Sequence, residues 1–184
     1  LMVSCAGDDL AEMTAGGGIH LTLGEAVEVE TRATPAQLGK PLAEQFNLRV
    51  VNTGTQRVVF DGKFQEVVKA GNGTYKITAT YGEDLLLAVD KPYYQGEATT
   101  ELTAETPNPQ VEIACRVANA LLSVKFLDKD GNESTAAFDD YFTTYAVRVM
   151  VQDSSVLLAD AGQSAYFRAG SSPKVTFVGT LRDT

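Results

Sequence analysis

From Ile19 onward, alternation of apolar and polar residues with a period of two recurs, and sustained helical periodicity is almost absent. Phe46, Leu48 and Val50 alternate with Asn47 and Arg49, while Tyr75, Ile77, Ala79 and Tyr81 alternate with Lys76, Thr78 and Thr80. A period of two puts the apolar set on one face of a pleated strand and the polar set on the other, so these stretches read as half-buried strands. Further strands fit Ile19 to Leu23, Val27 to Ala33, Arg57 to Phe60, Leu85 to Val89, Ala98 to Ala104, Val111 to Val117 and Leu121 to Leu127. The series continues with Phe142 to Gln152, Ser155 to Ala159, Ala165 to Arg168 and Lys174 to Leu181. Asn52-Thr53-Gly54, Asp61-Gly62, Gly71-Asn72-Gly73 and Asp130-Gly131-Asn132 separate several of them with residues that tolerate positive φ.

Helix is confined to short pieces. Gly39 and Pro41 interrupt Thr34 to Phe46, and Ser134 to Phe138 offers a turn or two. So many short strands at this spacing predict an all-β chain of sandwiches. The segment Ala104-Glu105-Thr106-Pro107-Asn108-Pro109-Gln110 carries two prolines and no apolar pattern, so it is the place to divide the chain. The reading is a linker over 1–18, a first sandwich over 19–106 and a second over 107–184. The alternative is one larger sandwich with 104–110 as a loop.

Composition narrows the function. A formal charge of −9 argues against nucleic acid, because phosphate binding needs clustered Lys and Arg to release counterions. Anionic lipid surfaces would repel the chain for the same reason. Two cysteines and one histidine exclude most zinc sites, thiol nucleophile pairs and serine triads, which draw on those residue types. No cofactor and no catalytic activity are expected. No run of about 20 apolar residues is present to span a bilayer as a helix.

The chain opens Leu1-Met2-Val3-Ser4-Cys5, an apolar stretch with a small residue directly before a cysteine. It resembles a bacterial lipobox, with Met2 where leucine is commoner. That resemblance implies acylation of Cys5 and an outer-membrane anchor. At roughly 0.8 kcal/mol per buried CH₂, two or more acyl chains hold a protein stably at a membrane, where one does so only marginally. Ala6-Gly7-Asp8-Asp9 follows, similar to the export signal of Bacteroidales surface lipoproteins, or else a solvated linker leading to Gly16-Gly17-Gly18. The competing reading of Cys5 is a disulfide to Cys115. In Val111-Glu112-Ile113-Ala114-Cys115-Arg116-Val117 the odd positions are apolar, which points Cys115 inward as a small hydrophobe.

Gly73-Thr74-Tyr75-Lys76-Ile77-Thr78-Ala79-Thr80-Tyr81-Gly82, Pro92-Tyr93-Tyr94-Gln95-Gly96 and Cys115-Arg116-Val117-Ala118-Asn119 together resemble an uncharacterised family of Bacteroidales surface lipoproteins. That family is similar in design to fimbrillin-type pilus proteins and their anchors. The resemblance covers most of Ile19 to Thr184. It implies tandem transthyretin-like or immunoglobulin-like β-sandwiches and a role in surface adhesion, pilus assembly or glycan contact. Its motifs are structural, so no catalytic residue is carried over.

Five candidate sites stand beside plainer readings. Asp128, Asp130 and Asn132, in Asp128-Lys129-Asp130-Gly131-Asn132-Glu133, have the oxygen-rich look of a calcium loop, but the spacing and closing glutamate of a full loop are missing and Asp-Gly between strands is a turn signal. Tyr93 and Tyr94, between Pro92 and Gly96, form an aromatic pair that could stack on sugar rings, with one ring in the core and one on the surface as the alternative. Asp139 and Asp140 are adjacent carboxylates, which in an extended chain point to opposite faces and so cannot flank one glycosidic bond. His20 sits in the first strand with no triad partner nearby, and Asn72-Gly73-Thr74 reads as a turn although it fits a glycosylation sequon.

The leading expectation is a fimbrillin-like adhesion or pilus-assembly component whose partners are other surface or pilus proteins. It requires an edge strand or groove that the fold leaves incompletely covered. The second expectation is a glycan-binding module of a nutrient-uptake system, which requires an exposed aromatic patch including Tyr93 or Tyr94.

Overall fold

The computed structural model describes residues 16–24, 41–160 and 162–183. Cys5, the expected strand Val27 to Ala33 and most of Thr34 to Phe46 lie outside the described residues. Within them the chain is all-β. Fourteen strands run β1 (Gly17–Gly24), β2 (Asn47–Asn52), β3 (Val58–Lys63), β4 (Val67–Ala70), β5 (Gly73–Tyr81), β6 (Leu87–Val89), β7 (Tyr94–Leu102), β8 (Gln110–Ala114), β9 (Arg116–Val117), β10 (Asn119–Ser123), β11 (Phe142–Val151), β12 (Ser154–Leu158), β13 (Ser164–Arg168) and β14 (Lys174–Leu181). The helical part is one turn of 3₁₀ at Ala43–Gln45 and the short helix α1 (Ala136–Tyr141).

The chain divides into two compact units, each drawing on separated stretches of sequence. The first takes β1, Pro41–Tyr81 and Gln95–Arg116, and the second takes Gly82–Tyr94 and the chain from Val117 onward. The sequence-based boundary at 106/107 therefore falls inside the first unit, and the reason is local. The Pro107 and Pro109 carbonyls accept hydrogen bonds from the N–H groups of Gly18 (3.1 Å) and His20 (2.9 Å), so the two prolines tie the start of β8 to β1.

The first unit has sheets of order β4-β1-β8 and β3-β2-β5-β7-β9. β1 runs antiparallel to β4 and parallel to β8. Alternation accounts for its core: Ile19 and Leu21 from β1, Val68 from β4 and Ile113 from β8 are buried, as are Leu48, Val50, Tyr75, Ile77 and Ala79 from β2 and β5. Cys115 is buried between β8 and β9, and a Cβ added to Gly96 would lie 2.7 Å from its sulfur. Burial pushes the Cys115 thiol up to about 11.

The second unit has two three-stranded sheets, β10-β13-β6 and β12-β11-β14. Their facing sides share one core, in which Phe126, Val147, Val149, Leu158 and Ala165 are buried and Leu87, Val89, Leu122, Tyr145 and Val156 pack against them. Ser164 is held at the end of β13 by reciprocal bonds with Asp90: its N–H donates to the Asp90 carboxylate (2.9 Å), and the Asp90 N–H donates to its carbonyl (2.9 Å).

Candidate functional site: an uncovered sheet edge

β14 pairs with β11 in an antiparallel register that sets Val147 opposite Phe177 and Val149 opposite Val175. Directly opposed residues in an antiparallel pair share a face, so Phe177 and Val175 point the same way as the core residues Val147 and Val149. Their environments differ sharply. Val149 is 0% exposed, whereas Val175 is 49%, Phe177 43% and Leu181 67% exposed. The inner face of β14 thus carries an apolar strip that the opposing sheet leaves uncovered.

Sequence and local geometry build this strip. Lys174 to Leu181 alternates well enough to make a strand, and it pairs along the outer side of β11. A register shift between Phe142 and Thr144 brings Phe142 onto Leu181. Gly179 leaves room there, since a Cβ would stand 2.9 Å from the Phe142 ring. Phe177 is then flanked by rings on its inner side: Phe142 at 5.3 Å edge-on, Phe138 of α1 at 6.1 Å and Tyr145 stacked at 6.4 Å. Phe138 and Tyr145 in turn pack on Phe126. The Tyr145 hydroxyl donates to Asp139 at 3.0 Å, and burial together with that bond pushes its phenol above the ordinary value.

Among the described residues β14 is an outer strand of its sheet. The Thr180 carbonyl accepts from the Thr143 hydroxyl and the Arg182 N–H donates to Tyr141, both on the β11 side. Strand alternation therefore turns the backbone groups of Val175, Phe177 and Gly179 toward the side away from β11. Among the described residues this row of donors and acceptors has no strand partner, and such a row beside an exposed apolar strip is a template for another strand.

Apart from Asp139 and Asp140, which lie in α1 beside the Leu181 end of β14, the residues singled out in the sequence lie elsewhere. Tyr94 is only 2% exposed and belongs to the core. Tyr93 is half-buried, its N–H donating to the Asn119 side chain (3.1 Å) and its carbonyl accepting from Ala118 (2.8 Å). The pair is thus not a common exposed platform. Asp128 accepts the N–H groups of Asp130 and Asn132 at 2.9 Å each, which holds its carboxyl below the ordinary value and closes a turn with Gly131 at φ 86°. Its oxygens are committed to that turn, and among the described residues no three His, Cys, Asp or Glu side chains gather as a metal site. The Asp139 backbone carbonyl accepts from Arg182 at 2.8 Å. His20 lines an opening of about 690 Å³ in the first unit, with Gly16 to Gly18, Val67, Lys69 and Asn108. No helix of the described residues is long and apolar enough to cross a membrane.

Residues 16–184 match a family described as a domain of unknown function, DUF4493. No curated protein matches the chain. A solved structure of a candidate adhesin from Bacteroides ovatus is similar over 100% of this chain and 74% of its own, at 9% identity and a TM-score of 0.39. That score lies below the level that establishes a shared fold.

Proposed function

We propose that this chain, which belongs to the domain-of-unknown-function family DUF4493, is a non-catalytic bacterial surface module that works in adhesion or assembly by pairing an extended segment of a partner protein onto β14. The observation that carries the reading is the strip of Val175, Phe177 and Leu181, core-facing by register yet exposed at a sheet edge. Strand addition supplies what this surface lacks: backbone hydrogen bonds give affinity, and alternate side chains filling the strip give specificity. The reading includes tandem transthyretin-like or immunoglobulin-like sandwiches and an outer-membrane tether through an acylated Cys5. A glycan role draws less support, since Tyr94 is buried.

Hydrogen exchange tests the central claim. In the presence of a binding partner the amides of Val175, Phe177 and Gly179 become protected while those of β3 do not change. Protection that falls elsewhere and spares β14 refutes the proposal. Mass spectrometry of the native protein tests the tether, and an unmodified Cys5, or one bridged to Cys115, removes it.

A further inference from the structure

We infer, resting on the strand-pairing reading above, that the segment taken up by β14 alternates apolar with acidic residues, its acids lying on the outer face at the end beside Lys174. A strand added to a sheet sends alternate side chains to the two faces. Its inward residues meet Val175, Phe177 and Leu181, so they must be apolar. Its outward residues meet the other face of the same sheet, where charge decides.

On that outer face two cations lie together. The molecule carries −9 overall, and Arg49, Lys76, Lys125 and Arg168 are each held in ion pairs with Asp61, Glu97, Glu133 and Asp84. Arg148 and Lys174 have no such pair among the described residues. Register places them together: Arg148 lies opposite Thr176 and Lys174 opposite Met150, so the two cations sit diagonally across adjacent strands on one face. At the far end of β14, Arg182 donates to the backbone carbonyls of Asp139 and Tyr141 in α1, which also carries Asp140, and Asp183 follows it in sequence. The edge thus has two cations, Arg148 and Lys174, at one end, with Asp153 of the β11–β12 turn nearby, and Arg182 with three acids close in sequence or in α1 at the other. An incoming strand gains when its acids lie beside Lys174 and loses when they lie beside Leu181.

A second copy is the rival occupant: in the antiparallel register with Val175 opposite Leu181 it would set Lys174 opposite Arg182 but also beside Asp183, so charge alone does not separate the two and the oligomeric state of the protein alone does.

The test uses the full chain and two peptides with identical apolar inward positions. One carries two glutamates at the outward positions of the end beside Lys174, and the other carries two lysines there. Binding is read by fluorescence anisotropy of labelled peptide at low and high salt. The expected result is a roughly tenfold preference for the acidic peptide, the size of two cross-strand attractions exchanged for two repulsions, collapsing at high salt. The double variant Arg148→Glu with Lys174→Glu, shown to be folded by its circular dichroism, should reverse the preference. Equal binding of both peptides, each abolished by Phe177→Asp, overturns the acidic segment but leaves strand pairing standing. No binding of either peptide fails the pairing reading itself. A dimer of the protein alone, lost in Phe177→Asp, would seat a second copy on the strip and overturn the inference.

Discussion

Phe177→Ala separates an exposed binding strip from an ordinary core position. Truncating a fully buried phenylalanine costs about 3 to 5 kcal/mol, part of it for the cavity left behind. Phe177 is 43% exposed, so a little over half of the transfer term is at stake, and water can refill a space open to solvent. The ring also loses its contact with Phe142 at 5.3 Å, and such pairs are worth roughly 0.5 to 1.5 kcal/mol. The expected cost is therefore about 2 kcal/mol. Val149→Ala, a smaller truncation at a site with 0% exposure, should cost as much or more: two methylenes at about 0.8 kcal/mol each plus a closed cavity give roughly 2 to 3 kcal/mol. Because the chain forms two units, the readout should be local, and amide exchange of Val147 and Val149 reports opening of the second unit directly. A loss of about 2 kcal/mol appears as roughly thirtyfold faster exchange in Phe177→Ala. Peptide binding to β14 should fall far more than stability does. A loss of about 4 kcal/mol or more would make Phe177 a core residue and remove the uncovered strip. Unchanged binding would leave the ring idle.

Three further outcomes follow from the first unit and the turn at Asp128. In Gly96→Ala the new methyl meets the Cys115 sulfur at 2.7 Å and the Ala114 carbonyl at 2.8 Å, so overpacking should cost about 1 to 3 kcal/mol, measured by exchange of the β2 and β5 amides. Cys115 should resist thiol reagents at pH 8 in the native protein and react at once in denaturant. Its thiol is raised from 9.0 to about 11, so the unfolded chain loses the proton first and stability present below pH 9 is lost as pH climbs toward 11, seen as a falling melting temperature. The Asp128 carboxyl, held low by the N–H groups of its own turn, supports the loop above its ordinary value of 3.8 and ceases to do so as pH falls through the lower folded value. An NMR titration in which Asp128 protonates at or above 3.8 would refute that account.

Much of the fold was legible because alternation is a local signal. Tyr75 to Tyr81 and Phe142 to Gln152 read as strands for the reason they are strands: one face must leave water. Val67–Ala70 was missed because Val67 and Val68 are adjacent and Lys69 follows, so four residues show no period. Val111 to Val117 read as one strand but breaks at Cys115 into β8 and β9. The prolines at 107 and 109 looked like a linker because sequence shows that they cannot donate; it does not show that their carbonyls accept from β1. The site was the least legible part. Val175-Thr176-Phe177 alternates like any half-buried strand, and alternation reports which way a side chain faces, never whether another sheet reaches over it. The available signal was charge at both ends of that strand, Lys174 and Arg182, which is how natural sheets mark an edge. The oxygen-rich Asp128 loop was ambiguous for a related reason, since a carboxylate that caps a turn and one that binds a cation have the same composition.

Those edge charges also bear on why the strip is tolerable. An exposed apolar edge invites pairing between copies, and the plain remedy would be a lysine or threonine at position 177, at a cost of only about 2 kcal/mol by the scaling above. The chain keeps phenylalanine there and places cations around it instead. On the outer face Arg148 and Lys174 attract an acidic strand. Covering the exposed fractions of Val175, Phe177 and Leu181 returns roughly 3 to 4 kcal/mol before association costs are subtracted, which is too little for tight binding without added backbone hydrogen bonds. Affinity at this site must therefore come from the ladder along Val175, Phe177 and Gly179, with the apolar strip setting register and the charges setting the choice of partner.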